Sequence, residues 1–310
     1  MNDYVILADV TCDLSEELRT RFGVEDYLQG HIHFSDGRDF PTTLDWSHIS
    51  RADFYKALSD KKLEVSTAPA SPEEYYTAFK AYAEKGMDVL SISISSKISS
   101  TYNVASGAAK RVQEEFPERT IYCFDSYKMS GAMGLLVLYA HQLKAAGKTL
   151  AEVADWLEQN KHRVHQMGPI DDLIFVARRG RLTMGKAIMG SFAGVKPMGD
   201  CNRDGYVSVL AKVKGINKAL DLTVRYVKQA AVDLSEQIVF ISHSNREEYA
   251  LHLQERIQAE LQPKQVLVSD VFSGCGTNIG PGMVAVYFLG EEISEDLAAE
   301  KALMNELLNG

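Results

Sequence analysis

Along the first half of the chain, short apolar runs alternate with stretches of helical spacing. Tyr4 to Ala8, Tyr27 to Phe34, Val89 to Ile94 and Thr120 to Phe124 read as strands. Between them, Ser15 caps a helix running to Phe22, with charges in its first turn. Trp46 to Ser59 carries Phe54, Tyr55 and Leu58 at core spacing. Ser71-Pro72-Glu73-Glu74 opens a further helix: Ser71 as cap, proline at the first helical position, and Glu74 closing a capping box. It runs to Lys85 and stops at Gly86. Thr101 to Phe116 and Ser130 to Ala146, the latter ended by Gly147, complete a βαβα rhythm. That rhythm predicts a parallel sheet flanked by helices.

The second half has a different pattern. Helices are expected over Leu150 to Val164, Met184 to Phe192, Asn217 to Ala231, Arg246 to Leu261 and Ser294 to Leu308. Strands are expected over Leu173 to Ala177, Val195 to Met198, Gln237 to Ser242, Gln265 to Val271 and Met283 to Leu289. Gly205 to Lys214 alternates like an exposed antiparallel strand. This is a mixed α+β pattern. A boundary between about Gly147 and Gly168 divides the chain into an N-terminal α/β domain, residues 1–155, and a C-terminal α+β domain, residues 156–310. No internal repeat or low-complexity linker is present.

The 310 residues are 45% hydrophobic and 24% charged, an ordinary globular composition that allows two cores. A net charge of -9 argues against nucleic acid as the main partner, because phosphate neutralisation needs surplus Lys and Arg. Cys12, Cys123, Cys201 and Cys275 form no Cys-x-x-Cys pair, so they are expected as reduced thiols in the cytoplasm. No apolar run approaches the roughly 18 residues of a membrane helix, so no integral membrane segment is expected. Nor does a signal-peptide pattern open the chain.

The densest chemistry lies between Ile92 and Tyr102, where a buried strand stops in Ser95, Ser96, Ser99 and Ser100 before a helix begins. Hydroxyls and backbone N–H groups at such a junction suit an anion, a carboxylate or a phosphate. No general base or nucleophile elbow accompanies them, which favours holding a ligand over cutting one. A capping cluster is the plainer reading of the same serines. Asp9, Asp13 and Asp125 fall at strand ends, either at a ligand or as caps. The eight histidines form no metal set: His31 with His33, and His162 with His165, lack a third ligand. Gly180-Arg181-Leu182-Thr183-Met184-Gly185-Lys186-Ala187 misses a Walker loop because Ala187 replaces the metal-binding hydroxyl. Arg178, Arg179, Arg181 and Lys186 still make a basic stretch for an anion or acidic partner. The glycine-rich run Gly274 to Gly282 precedes a strand, which excludes a dinucleotide fingerprint. It is either a hairpin-like connection or a loop whose backbone approaches a ligand.

In order along the chain, these segments resemble the DegV family of bacterial lipid-binding proteins. Asp9-Val10-Thr11-Cys12-Asp13-Leu14 is similar to its Asp-Ser-x-x-Asp-Leu signature, and Thr67-Ala68-Pro69-Ala70-Ser71-Pro72 to its Thr-Ser-Gln-Pro-Ser-Pro loop. Ile94 to Tyr102 is similar to its Ser-Ser-x-Leu-Ser-Gly-Thr-Tyr stretch. Asp125-Ser126 with Ser130, Gly131 and Gly134 resembles its Asp-Ser segment. Arg179-Gly180-Arg181-Leu182 with Lys196-Pro197-Met198 resembles its Gly-Gly-Arg-Ile and Lys-Pro-Ile elements.

The resemblance implies a two-domain α/β fold with a long-chain fatty acid buried between the domains. It implies a carboxylate held at Thr67, Ser95 and Ser96, and presentation of the acid to a separate ATP-dependent fatty acid kinase for phospholipid synthesis. The protein itself would be non-catalytic and without cofactor. Departures are Val10, Ser100 and Asn278, the last where the family commonly carries a histidine two residues before Gly-Pro-Gly. Asn278 joins the expected head-group set, and Lys212, Lys214, Gly280 and Gly282 are further candidates there. Ile188, Met189, Phe192, Met198 and Phe272 are candidate lining. The alternatives are an enzyme (a kinase, phosphatase or acyl hydrolase) working from the site around Ser95, and an interaction module with a vestigial pocket.

Overall fold

The structure, a computed structural model, describes residues 3–182 and 194–310. In chain order the strands are β1 (Tyr4–Asp9), β2 (Tyr27–Leu28), β3 (His31–Phe34), β4 (Asp39–Pro41), β5 (Val65–Ala68), β6 (Asp88–Ser93), β7 (Ile121–Asp125), β8 (Val164–Met167), β9 (Val195–Cys201), β10 (Val207–Lys214), β11 (Ile238–His243), β12 (Gln265–Asp270) and β13 (Val284–Leu289). The helices are α1 (Glu16–Phe22), α2 (Arg51–Ser59), α3 (Pro72–Ala83), α4 (Thr101–Glu115), α5 (Ser130–Ala145), α6 (Leu150–Asn160), α7 (Leu173–Arg178), α8 (Ile216–Ala230), α9 (Glu247–Leu261), α10 (Ser273–Ile279) and α11 (Ala298–Asn309).

The strands form four sheets. The first, ordered β2-β1-β6-β7, is parallel throughout, as the βαβα rhythm predicts. A small antiparallel sheet, β4-β3-β5, is attached to it in sequence. The third, β12-β11-β13-β8, is mixed: β11 and β12 run parallel, and the other neighbours antiparallel. β9 and β10 pair as a separate antiparallel ribbon.

Alternation along the strands of the first sheet sorts its two faces. Leu7 and Val89 pack under α3 and α4, while Ile6, Ala8, Leu90 and Ile92 face α5. The inner face of the mixed sheet presents Ile238, Phe240 and Tyr287 to the other side of α5. Its outer face places Val239, Ile241, Val286 and Phe288 against α8, α9 and α11. The layers therefore run helices, sheet, α5, sheet, helices.

α5 explains why the layers hold together. Eleven of its 16 residues are buried. Its sequence is apolar on every side rather than along one stripe, so it is stable only when covered all round. Small residues let both sheets close on it. A Cβ on Gly134 would stand 2.3 Å from the Cys12 carbonyl oxygen, and one on Gly131 would stand 2.2 Å from the Tyr287 ring. A buried polar chain crosses beside the start of this helix. Ser130 Oγ donates to Asp13 Oδ2 at 2.6 Å, and the Phe272 N–H donates to Asp13 Oδ1 at 2.9 Å. Ser242 Oγ lies 3.4 Å from Ser130 Oγ and 2.9 Å from the Tyr287 hydroxyl. Burial pushes the Asp13 carboxyl up to about 8, against the opposing hydrogen bonds from Ser130 and Phe272.

Several local expectations change in three dimensions. Tyr27 to Phe34 is two strands in different sheets, broken at Gly30, where a Cβ would meet the Ala68 carbonyl oxygen at 2.5 Å. The helix expected from Trp46 starts only at Arg51, because Ser50 caps it and accepts from the Asp53 N–H. The helix expected to reach Val164 stops at Asn160, and Val164–Met167 pairs with β13 as β8. Leu173–Arg178 is a helix rather than a strand, capped by Asp172 through the Phe175 N–H. β5 carries Thr67, where only a loop was expected. Residues 155 and 156 both lie within α6. The helix expected over Met184 to Phe192 lies outside the described residues. Among the described residues no helix is long and apolar enough to cross a membrane.

Two measurements check this architecture. Gly134→Ala should cost about 1–3 kcal/mol in urea unfolding, because a backbone carbonyl cannot yield to the added methyl. An unchanged midpoint would contradict the close approach of α5 to the first turn. An unfolded aspartate titrates near 3.9. The native chain therefore binds the Asp13 proton more tightly, and this group costs stability progressively as pH rises from about 4 to about 8. Asp13→Asn keeps a carbonyl for Phe272 and carries no such cost. Its melting temperature relative to the native chain should climb across that window, and a constant offset would refute the assignment.

Candidate functional site

A cavity of about 270 Å³ lies between the two large sheets, at the N-terminal end of α5. Its walls are mostly apolar: Ile98 from the loop after β6, Met129 before α5, Leu173 and Val176 from α7, Met198 from β9 and Ile279 from α10 are typical. α7 turns its Leu173 and Val176 inward because the Asp172 cap fixes its start just before them.

Several polar groups also line the cavity. Thr67, on the edge strand β5, and Asn278, at the end of α10, meet across it: Asn278 Nδ2 donates to Thr67 Oγ1 at 3.3 Å. The Thr67 hydroxyl proton remains available to a ligand. α10 forms despite its glycines because they permit close packing. A Cβ on Gly276 would sit 2.8 Å from the Phe54 ring, and one on Gly274 3.1 Å from Val10. The loop expected between Gly274 and Gly282 is thus a short helix closed by a turn. Its glycines mainly approach protein, while Gly274 also borders the cavity. Gly280 (φ +75°) packs on Phe175, and Gly282 (φ +103°) packs on Asp171, which accepts from Lys196 and Arg246. Neither glycine lines the cavity.

The serine-rich loop divides. Ser99 and Ser100 border the cavity; Ser95 and Ser96 do not. The Ser95 N–H donates to the Lys128 carbonyl at 2.9 Å, and its buried Oγ accepts from the Lys97 N–H at 3.3 Å. Gly205 lies against that hydroxyl: a Cβ there would stand 2.2 Å from it. The Ser96 N–H donates to Asp125 Oδ1 at 3.1 Å. Ser99 Oγ pairs with Thr101 Oγ1 at 2.7 Å, a turn-capping contact. The aspartates at the strand ends are likewise taken up by backbone. Asp9 accepts from the Thr11 and Ile94 N–H groups at 2.8 Å each, and Asp125 from Ser96 and Tyr127. Burial raises the Asp9 carboxyl above its usual range in spite of those bonds.

Arg181 is the charged residue that lines the cavity among the described residues. It belongs to the basic stretch expected from the sequence, which carries no signal that it points inward. Its neighbour Arg179 donates to the Val65 carbonyl at 2.7 Å, and burial, with Arg181 nearby, lowers it from the ordinary guanidinium range. Lys212 and Lys214 stand on the exposed side of β10, whereas Val207 and Val209 of that strand face the cavity. Of the expected lining residues, Met198 is in the wall. Phe272 packs on Trp46 instead, with ring centres 5.2 Å apart. Lys186, Ile188, Met189 and Phe192 lie outside the described residues. Gln166 and Tyr287 also line the cavity, and the sequence offered no signal for either.

His162 follows α6, and His165 sits on β8. The buried His165 bonds Asp200 Oδ2 at 2.7 Å through Nδ1 and the Glu291 carbonyl at 2.9 Å through Nε2. Burial pulls its titration down, but Asp200 outweighs this and raises it. Among the described residues no three His, Cys, Asp or Glu side chains gather as a metal site.

Comparison with known proteins matches residues 3–291 to the model described as "Uncharacterised protein, DegV family". A DegV domain-containing protein of Clostridium perfringens is 31% identical over 291 residues, covering 94% of this chain and 99% of that one. Among solved structures, a DegV family protein from Thermus thermophilus, described as fatty acid binding, aligns with a TM-score of 0.82 and 24% identity. It covers 94% of this chain and 100% of the other. The Streptococcus pneumoniae fatty acid kinase B3 protein, loaded with linoleic acid, aligns with a TM-score of 0.77 and 17% identity over 93% and 100%. The chain belongs to the DegV family.

Proposed function

We propose that the chain is a carrier that buries a long-chain fatty acid in this cavity and does no chemistry on it. The observation that carries the reading is an apolar-walled cavity between two sheets, with Thr67, Asn278 and Arg181 in its lining. Each buried methylene contributes roughly 0.8 kcal/mol, so an acyl chain supplies most of the affinity. A carboxylate withdrawn from water needs donors and a counter-charge. The Thr67 hydroxyl, the Asn278 amide and the Arg181 guanidinium are suited to supply them. Ser95 and Ser96 act one layer behind, fixing the loop that carries Ile94 and Ile98 into the wall.

Support comes from solved relatives described as binding fatty acids. The likeness to the Streptococcus pneumoniae kinase B3 protein supports the further reading that a separate ATP-dependent fatty acid kinase acts on the presented carboxylate. Asn278 cannot take up a proton near neutral pH, so its hold on the head group is independent of pH there.

Organic extraction of the purified protein, followed by mass spectrometry, should yield a fatty acid in stoichiometric amount. Rebinding to the delipidated Thr67→Val/Asn278→Ala double variant should weaken about a hundredfold, the loss of two hydrogen bonds to a charged group. An empty extract with no rebinding would overturn the carrier reading. Unweakened rebinding by the variant would move the head group elsewhere.

A further inference from the structure

We propose that the cavity is built for an acyl chain that carries an oxygen atom part-way along its length, with Gln166, beside Tyr287, receiving it. The inference rests on the carrier reading and names the class of acid carried.

The strand register sets the geometry. Gln166 on β8 pairs with Tyr287 on β13, and side chains opposite one another in an antiparallel pair share a face. That face is the inner one. Val164 pairs with Leu289 on it, and Val164, Ala285 and Tyr287 belong to the core built around α5. Gln166 and Tyr287 both line the cavity. The alternate residues, His165 and Met167, point to the opposite face, with Phe288 and Val286.

The two polar groups are in different states. The Tyr287 hydroxyl is anchored through Ser242, and Ser242 in turn approaches Ser130, which donates to Asp13. Gln166 spends its backbone N–H on Asp200 Oδ1 at 2.9 Å, but among the described residues its side-chain amide makes no hydrogen bond. An amide brings two donors and an acceptor. Against a mostly apolar wall, a saturated chain would strip that amide of water and return nothing. A hydroxyl or keto oxygen on the chain would accept from the amide N–H, and a hydroxyl could also donate to its carbonyl. Thr67 and Asn278 bond each other, Tyr287 bonds Ser242, and none of them bonds the Gln166 amide, which is left for a second polar atom of the ligand.

The test compares octadecanoic acid with a series of its mid-chain hydroxy derivatives, binding each to delipidated native chain and to Gln166→Leu, with Gln166→Met as a second variant should the first fold poorly. At least one hydroxy isomer should bind the native chain roughly tenfold more tightly than octadecanoic acid, the scale set by satisfying a buried polar group. Gln166→Leu should lose that preference and bind octadecanoic acid more tightly than the native chain does. Absence of any preferred isomer, or a preference that survives Gln166→Leu, overturns the proposal and leaves the amide to an ordered water. If neither octadecanoic acid nor any of its hydroxy derivatives binds either protein, the carrier reading falls and this inference falls with it.

Discussion

The double-sided burial of α5 is the constraint on which the rest of this structure depends. A helix that is apolar all round cannot be left at a surface, and here two separate sheets are each short of one cover. One element closes both. Gly131 and Gly134 permit it, because a methyl at either position would collide with Tyr287 or with the Cys12 carbonyl. The outer helices then need to cover only the far faces of the sheets.

The cavity is a consequence of where that contact ends. Beyond the first turn of α5 the sheets are no longer separated by a helix, and α7, α10 and the β9–β10 ribbon close the gap. Those elements come from distant parts of the chain and meet with apolar side chains inward. Polar groups that remain beside the cavity are mostly engaged with backbone. Asp9, Asp13 and Asp125 each tie a loop in place, which gives a rigid rim at the cost of buried carboxyls. Thr67, Asn278, Arg181 and Gln166 differ from them in facing the open space.

Much of the first half was legible from the sequence because its signals are local. Strand runs, the Ser71–Glu74 capping box and the glycine stops at Gly86 and Gly147 act within a few residues, and the structure uses them as read. Two misreadings in the second half share a cause. Val164–Met167 continues a helical pattern until β13 captures it as an edge strand, and Leu173–Arg178 reads as a strand until the Asp172 cap starts a turn. In both, a short apolar segment has no strong propensity, and its neighbours decide.

The candidate site divides in the same way. The sequence determined which residue types are available, namely hydroxyls after β6, a threonine before a proline loop, an arginine-rich stretch and Asn278 ahead of Gly-Pro-Gly. The tertiary structure alone decided which of them share a space. It turned Ser95 and Ser96 behind the wall, joined Thr67 to Asn278 across 211 positions, and brought Arg181, Tyr287 and Gln166 to the cavity. The physical reason is that side-chain direction follows from register and packing, which long-range contacts fix. Residue chemistry and short capping signals are written in the chain itself.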